Sequence, residues 1–210
     1  TLNKNTIPSM FLAGKKANEL GHIVLLDPVG AGASRLRTDT ANRLMQEVRF
    51  DAVRGNISEI KTLCTGSGST KGVDADAVDA VTEANLDDGV QLVKTFAQRA
   101  GCIVAVTGAI DLVSDGERCW CIRNGRAEMS RITGTGCQLS ALMTAFLVAN
   151  PDHKLAAAAA AVCMMGLAGE IGWANMQPGD GNSTYRNRII DAIFNMTGDA
   201  LEKGAKYELR

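Results

Sequence analysis

Two short apolar runs constrain this chain more than any other feature. Ile23-Val-Leu-Leu-Asp27 and Cys102-Ile-Val-Ala-Val106 are almost continuously apolar and stop at turn-forming residues. A strand that is apolar on both faces must be covered on both, as a parallel strand is between two helical layers. The intervening segments carry the complementary signal. Residues 38–50 place Leu44, Met45 and Val48 on one helical face. Residues 74–100 read as mostly helical, with acids toward the start, Lys94 and Arg99 near the end, and Gly101 as the stop. Asp51-Ala-Val-Arg54 reads as another short strand ending at Gly55-Asn56, and a short helix begins at Ser58. Short β segments are expected around 111–114, 118–123 and 127–130, joined by Asp115-Gly116 and Asn124-Gly125. Helices are expected over 137–150, 154–175 and 184–202. This alternation indicates an α/β fold, a three-layer sandwich whose mostly parallel sheet is flanked by helices and carries an antiparallel edge. It is expected to form a single domain over residues 1–210.

Composition narrows the function. With 46% apolar residues the chain can bury a real core, which excludes intrinsic disorder. Lys+Arg 22 against Asp+Glu 23 leaves no global positive field, and aromatics are 4%; nucleic acid is not an expected partner. The opening stretch has no continuous apolar segment of the kind a signal peptide needs. The longest apolar run, 155–169, would span ~22 Å as a helix, short of the ~30 Å hydrocarbon layer, so it is expected to be buried in protein rather than in a membrane. The six cysteines show no CxxC pair, which fits reduced core residues in a cytoplasmic protein. Only His22 and His153 are present, so neither a Ser/His/Asp triad nor a histidine-built metal site is expected. The Gly66-Ser-Gly-Ser-Thr-Lys-Gly72 stretch fails the GxxxxGK[ST] spacing and reads as a loop.

In sheets of this kind ligands bind beyond the carboxyl ends of the strands. Those ends carry Asp27, then Arg54-Gly55-Asn56 with Glu59 a turn later, then Thr107-Gly108. The later β segments feed Ile132-Thr-Gly-Thr-Gly-Cys137, directly ahead of an apolar helix. Gly134 and Gly136 permit a tight turn and present bare N–H groups at a helix N-terminus, where an anion is favoured. Arg54 supplies a cation, Thr107 a hydroxyl, and Asp27 and Glu59 two carboxylates suited to a hard divalent cation. Positioning, a metal and donors aimed at developing charge are what phosphoryl transfer requires, so the parts converge on a nucleotide-dependent kinase. Each part has a plainer reading: Gly-Thr-Gly as a turn and N-cap, Asp27 before Pro28 as a turn start, Glu59 as a helix-dipole acid, Cys137 as core. Asp111 and Asp115 read as turn residues and are left out of the site.

At these residues the chain resembles the hydroxyethylthiazole kinases of the ribokinase-like superfamily. The resemblance is carried by Leu26-Asp-Pro-Val-Gly-Ala-Gly-Ala33, Val53-Arg-Gly-Asn-Ile-Ser-Glu-Ile60, Ala105-Val-Thr-Gly108 with Asp115-Gly116, and Ile132-Thr-Gly-Thr-Gly-Cys137. It implies transfer of the ATP γ-phosphate to the hydroxyl of 4-methyl-5-(2-hydroxyethyl)thiazole, a step toward thiamine, with Mg²⁺ as cofactor. It implies that Arg54, Thr107 and Asn56 serve the ATP phosphates and that Asp27 and Glu59 hold Mg²⁺. Gly134, Thr135, Gly136 and Cys137 would form the catalytic anion hole, with Gly134 also touching the thiazole. Relatives acting on sugars or pyrimidines generally carry aspartate as base where this chain has Cys137, whose thiol would accept or steer the alcohol proton. The resemblance further implies a homotrimer, and an N-terminal β–α segment ahead of the position of Thr1. The 210-residue chain alone is accordingly expected to lack an internal strand and to be poorly soluble or inactive. Two other readings stay open: a ribokinase-like kinase of the hydroxymethylpyrimidine type, and a nucleotide-binding protein without turnover.

Overall fold

The computed structural model describes residues 2–65 and 80–210. The loop expected at 66–72 and the opening of the helix expected from residue 74 lie outside the described residues. One sheet organises the chain, in the order β1 (Leu25–Leu26), β2 (Ala52–Asn56), β3 (Ile103–Thr107), β4 (Asp111–Ser114), β5 (Cys119–Ile122) and β6 (Tyr207–Leu209). β1, β2 and β3 run parallel, with Leu26 opposite Val53 and Asn56 opposite Thr107. From β3 onward the pairings are antiparallel. The antiparallel part is therefore larger than an edge, because the C-terminal residues return as β6.

Helices cover both faces. On one side lie α1 (Thr6–Glu19), α2 (Arg35–Glu47), α3 (Ile57–Thr65) and α4 (Leu86–Ala100), burying residues such as Leu44, Ile60, Val93 and Phe96 against Val53, Val104 and Leu112. On the other lie α5 (Thr135–Ala149), α6 (Lys154–Ala174) and α7 (Asn182–Asn195), with Met143, Leu147, Val162 and Ile189 against Ala52, Ala105 and Val113. Alternate residues of each central strand enter opposite cores, the consequence of the period-2 strand between two apolar layers. α6 belongs to a helix long and apolar enough to cross a membrane by length and composition, yet 72% of that window is buried within the protein. It is a core helix, as its sequence predicts.

Several boundaries move for local reasons. α2 starts earlier than expected because Ser34, in extended conformation, caps it by accepting the Arg37 N–H. The described part of the long 74–100 segment becomes helical at Leu86, behind a short 3₁₀ turn in which Thr82 and Asn85 form a capping box. Gly101 ends it in the left-handed conformation, φ 65°. The expected helix over 184–202 is two helices, since Met196 is extended and Thr197 caps α8 (Gly198–Gly204) by accepting the Ala200 N–H. The expected β segment at 127–130 is a 3₁₀ helix, Ala127–Arg131. The edge of β5 that it would have paired with is taken by β6. Asn124 enforces that choice, its amide donating to the Gly204 carbonyl and its oxygen accepting the Lys206 N–H.

Candidate functional site

The carboxyl ends of β1, β2 and β3 converge as the chain order predicts, and Arg54 is where they meet. Its side chain is 13% exposed; Nη2 donates to Thr107 Oγ1 at 2.8 Å and Nη1 to Asp27 Oδ2 at 3.4 Å. The parallel register explains the meeting, because Arg54 sits opposite Ala105 and its side chain leans along the face that carries Thr107. The third contact is with α5. A Cβ on Gly136 would lie 2.8 Å from Arg54 Nη1, so only a glycine lets the guanidinium lie against the first turn of that helix. Gly134, at φ 97°, makes the turn into α5, and no side chain caps its N-terminus. A fixed cation and an uncapped helix start thus sit side by side, an arrangement suited to a phosphate chain.

The two carboxylates play different parts. Glu59 is 8% exposed, and each of its oxygens accepts a backbone N–H at 2.8 Å, one from Gly30 and one from Asn56. Asn56 returns a bond from the Glu59 N–H to its own Oδ1. Glu59 therefore ties the glycine-rich loop after β1 to the start of α3. That loop needs Gly30 at φ 75° and Gly32 at φ 90°, and a Cβ on Gly32 would meet Thr62 Oγ1 at 2.7 Å. Asp27 is different. Its Oδ2 accepts from Arg54 and, at 2.8 Å, from Ser140 Oγ on α5, while Oδ1 is buried without a hydrogen-bond partner among the described residues. An unpartnered buried carboxylate oxygen beside a phosphate site suits a hard cation such as Mg²⁺. Glu59, with both oxygens engaged, fits the same ion better through intervening water.

Of the expected site residues, Arg54, Thr107, Thr135 and Gly136 line a cleft of about 590 Å³, whereas Asp27, Glu59, Asn56, Gly134 and Cys137 are not among its lining residues. Arg54, Thr107, Gly108, Asp111, Thr135 and Gly136 line its polar end. The rest of its lining mixes apolar side chains, Ala109, Met129, Leu139, Val162 and Met165, with Gly166 and the 124–130 segment, which brings Arg126 and Ser130. Cys137 occupies the third position of α5 and is exposed. Asn56 lies at the rim, exposed, its side chain committed to Glu59. The expected residues are thus brought to one edge. The distinction within the carboxylate pair came only from the fold.

Three further features of this edge were not singled out from the sequence. Asp111, set aside as a turn residue, accepts the Gly108 N–H at 2.8 Å and lines the cleft beside Thr107. Burial pushes its carboxyl up to about 7, against the lowering influence of that N–H and of Arg54. Ser140, three residues past Cys137, anchors Asp27. The 124–129 segment walls the rest of the cleft; Glu170 on α6 holds it by accepting from the Gly125 N–H at 2.9 Å, and Arg126 stacks on Trp173 at 5.3 Å. Asp115 behaves as read, capping the β4–β5 turn through the Glu117 and Arg118 N–H groups.

Comparison with known proteins gives the same answer. A sequence profile described as the hydroxyethylthiazole kinase family matches residues 1–199. A hydroxyethylthiazole kinase of Clostridium acetobutylicum is 52% identical over 208 residues, covering 99% of this chain and 76% of the relative, and that of Clostridium beijerinckii is 45% identical. The structure of a hydroxyethylthiazole kinase from Pyrococcus horikoshii superposes with a TM-score of 0.84 at 30% identity, over 100% of this chain and 74% of the other. A Bacillus subtilis pyridoxal kinase, 23% identical with a TM-score of 0.56, shares the fold. With a guanidinium locked between two strand ends and a glycine-started helix, and with these relatives along its length, this chain belongs to the hydroxyethylthiazole kinase family.

Proposed function

We propose that the protein transfers the γ-phosphate of ATP to the hydroxyl of 4-methyl-5-(2-hydroxyethyl)thiazole, a salvage step in thiamine formation. The observation that carries this reading is Arg54, held between Asp27, Thr107 and Gly136 at the mouth of the cleft. Arg54, Thr107 and the first-turn N–H groups of α5 bind the phosphates, and the rest of the cleft takes the nucleotide's base. Asp27, with Glu59 beside it, would hold Mg²⁺, and a cation there would neutralise phosphate charge. The acceptor oxygen forms its bond to the γ-phosphorus as the bond to the ADP oxygen breaks, and the hydroxyl proton leaves toward Cys137. The Thr135 and Gly136 N–H groups face the charge that develops on the transferred group.

The direct test is ADP release by the protein expressed from its complete reading frame. We expect release that depends on both hydroxyethylthiazole and Mg²⁺ and stops with chelator. Faster turnover with a hydroxymethylpyrimidine would move the assignment to that alcohol. Nucleotide binding with no acceptor-dependent release would reduce the protein to a binder.

Cys137 gives a second expectation. Positioning and electrostatics carry most of phosphoryl transfer, so Cys137→Ala lowers kcat by roughly tenfold to a hundredfold while the ATP KM holds. Cys137→Asp retains or raises activity, since a carboxylate accepts the same proton. Loss of ATP affinity in Cys137→Ala would make the thiol structural.

A further inference from the structure

A carboxyl group in the wall of a phosphate site needs a physical reason, because a carboxylate there repels the ligand. Asp111 is such a group. It stands at the start of β4, next in register to the Val106–Leu112 pair and therefore beside Thr107. Like Val113 it faces the α5–α6 layer, the face that also carries Arg54 and Thr107. Oδ1 is occupied by the Gly108 N–H. That bond pins the Gly108 backbone, directly after Thr107, whose hydroxyl accepts from Arg54. Three roles are open to the remaining oxygen: binding a cation, accepting from a ligand hydroxyl, or carrying a proton. The cation role falls to Asp27, whose buried oxygen is free and on the far side of Arg54.

The geometry points to Asp111 as a phosphate-binding residue that takes up a proton when the nucleotide binds, and then donates its O–H to a phosphate oxygen. This rests on the kinase reading above. The groups that face Asp111 allow it. Arg54, from β2, favours its ionised form but is shared with Asp27 and Thr107. Cys163, from α6, is buried and its thiol is pushed up to about 12, so it is neutral and brings no charge. Arg126, from the segment after β5, is paired with Glu128 and stacked on Trp173. The carboxyl of the free protein, already raised by burial to about 7, is ionised in large part at pH 8. A polyanion alongside raises it further, so protonation follows binding. Asp111→Asn reproduces the protonated form, with an oxygen for Gly108 and an N–H₂ for the phosphate.

The test is calorimetric titration of the protein with MgADP at pH 8 in two buffers of different ionisation enthalpy. A phosphate's own second ionisation, near pH ~6, is complete there and contributes little. We expect the wild type to take up roughly half a proton or more per nucleotide bound, and D111N to take up none. The wild-type Kd rises with pH above neutrality by up to about tenfold per unit, whereas that of D111N stays flat. No uptake in the wild type overturns the assignment without recourse to any variant. Uptake that survives in D111N assigns the proton elsewhere and overturns it too. A properly melting D111N that loses nucleotide affinity at pH 7 would show that the negative charge itself is needed, and would also overturn it. If neither protein binds nucleotide at any pH, the kinase reading falls and takes this inference with it.

Discussion

Arg54→Met lowers kcat/KM by about 10³-fold or more. The magnitude follows from what one guanidinium does here. It is the cation nearest the first turn of α5, it holds Thr107 Oγ1, and it partly neutralises Asp27. Removing a single preorganised donor from such a site costs ~10²–10³ in rate, and arginines that stabilise transferring phosphoryl groups are worth ~10³–10⁵. Methionine keeps much of the volume but leaves the Asp27 carboxylate, among the described residues, with Ser140 as its remaining side-chain partner. Arg54→Lys is expected to recover only a small part of the loss, because a single ammonium cannot reach Asp27, Thr107 and a phosphate in the fork geometry that arginine provides. Steady-state kinetics with a thermal melt decide the point. A folded Arg54→Met within tenfold of wild type would remove Arg54 from the phosphate site.

Gly166→Ala lowers the melting temperature by roughly 5–10 °C. Gly166 lies on α6 where that helix crosses the end of β5, and a Cβ there would stand 2.7 Å from both the backbone carbon and the Cβ of Asn124. Neither atom can yield. Asn124 is bonded to the Gly204 carbonyl and the Lys206 N–H, and the next residue donates its N–H to Glu170. Overpacking against a fixed backbone costs ~1–3 kcal/mol or more, and in a protein of this size each kcal/mol moves Tm by ~2–4 °C. Gly198→Ala is the control: nothing lies within 4 Å of its Cβ position, so it is expected to leave Tm unchanged or slightly raised. Equal melting of Gly166→Ala and wild type would mean that α6 and the 124–125 turn shift together at little cost. Because Gly166 lines the cleft, the variant should also weaken nucleotide binding.

Most of the candidate site is legible in the amino-acid sequence. Asp27, Arg54 and Thr107 each follow or end a strand-forming run, parallel strands put such carboxyl ends on one side by topology alone, and Gly134–Cys137 stands directly ahead of an apolar helix. Short-range signals also served well where a cap or glycine punctuates the chain, as at Gly101. They failed where two segments distant in sequence compete for one partner. β6 takes the edge of β5 because Asn124 is bonded to Gly204 and Lys206, and nothing near residue 127 announces that. Asp111 does close the β3–β4 turn through the Gly108 N–H, as its sequence suggests, but that it also lines the cleft is a matter of how β4 stands beside β3, which no local pattern announces.

By itself, then, the sequence determined the layered α/β class, the edge of the sheet at which Asp27, Arg54 and Thr107 meet, and the kinase family. These follow from side-chain periodicity, strand-end placement and short motifs, which are local. The tertiary structure alone decided that Asp27 keeps an open oxygen while Glu59 spends both on backbone N–H groups, that Ser140 aims Asp27, and that Asp111 lines the same cleft as Arg54 and Thr107. Each of these depends on which hydrogen bonds remain unmade after two layers of helices close over the sheet, a property of the packed whole rather than of any stretch of chain.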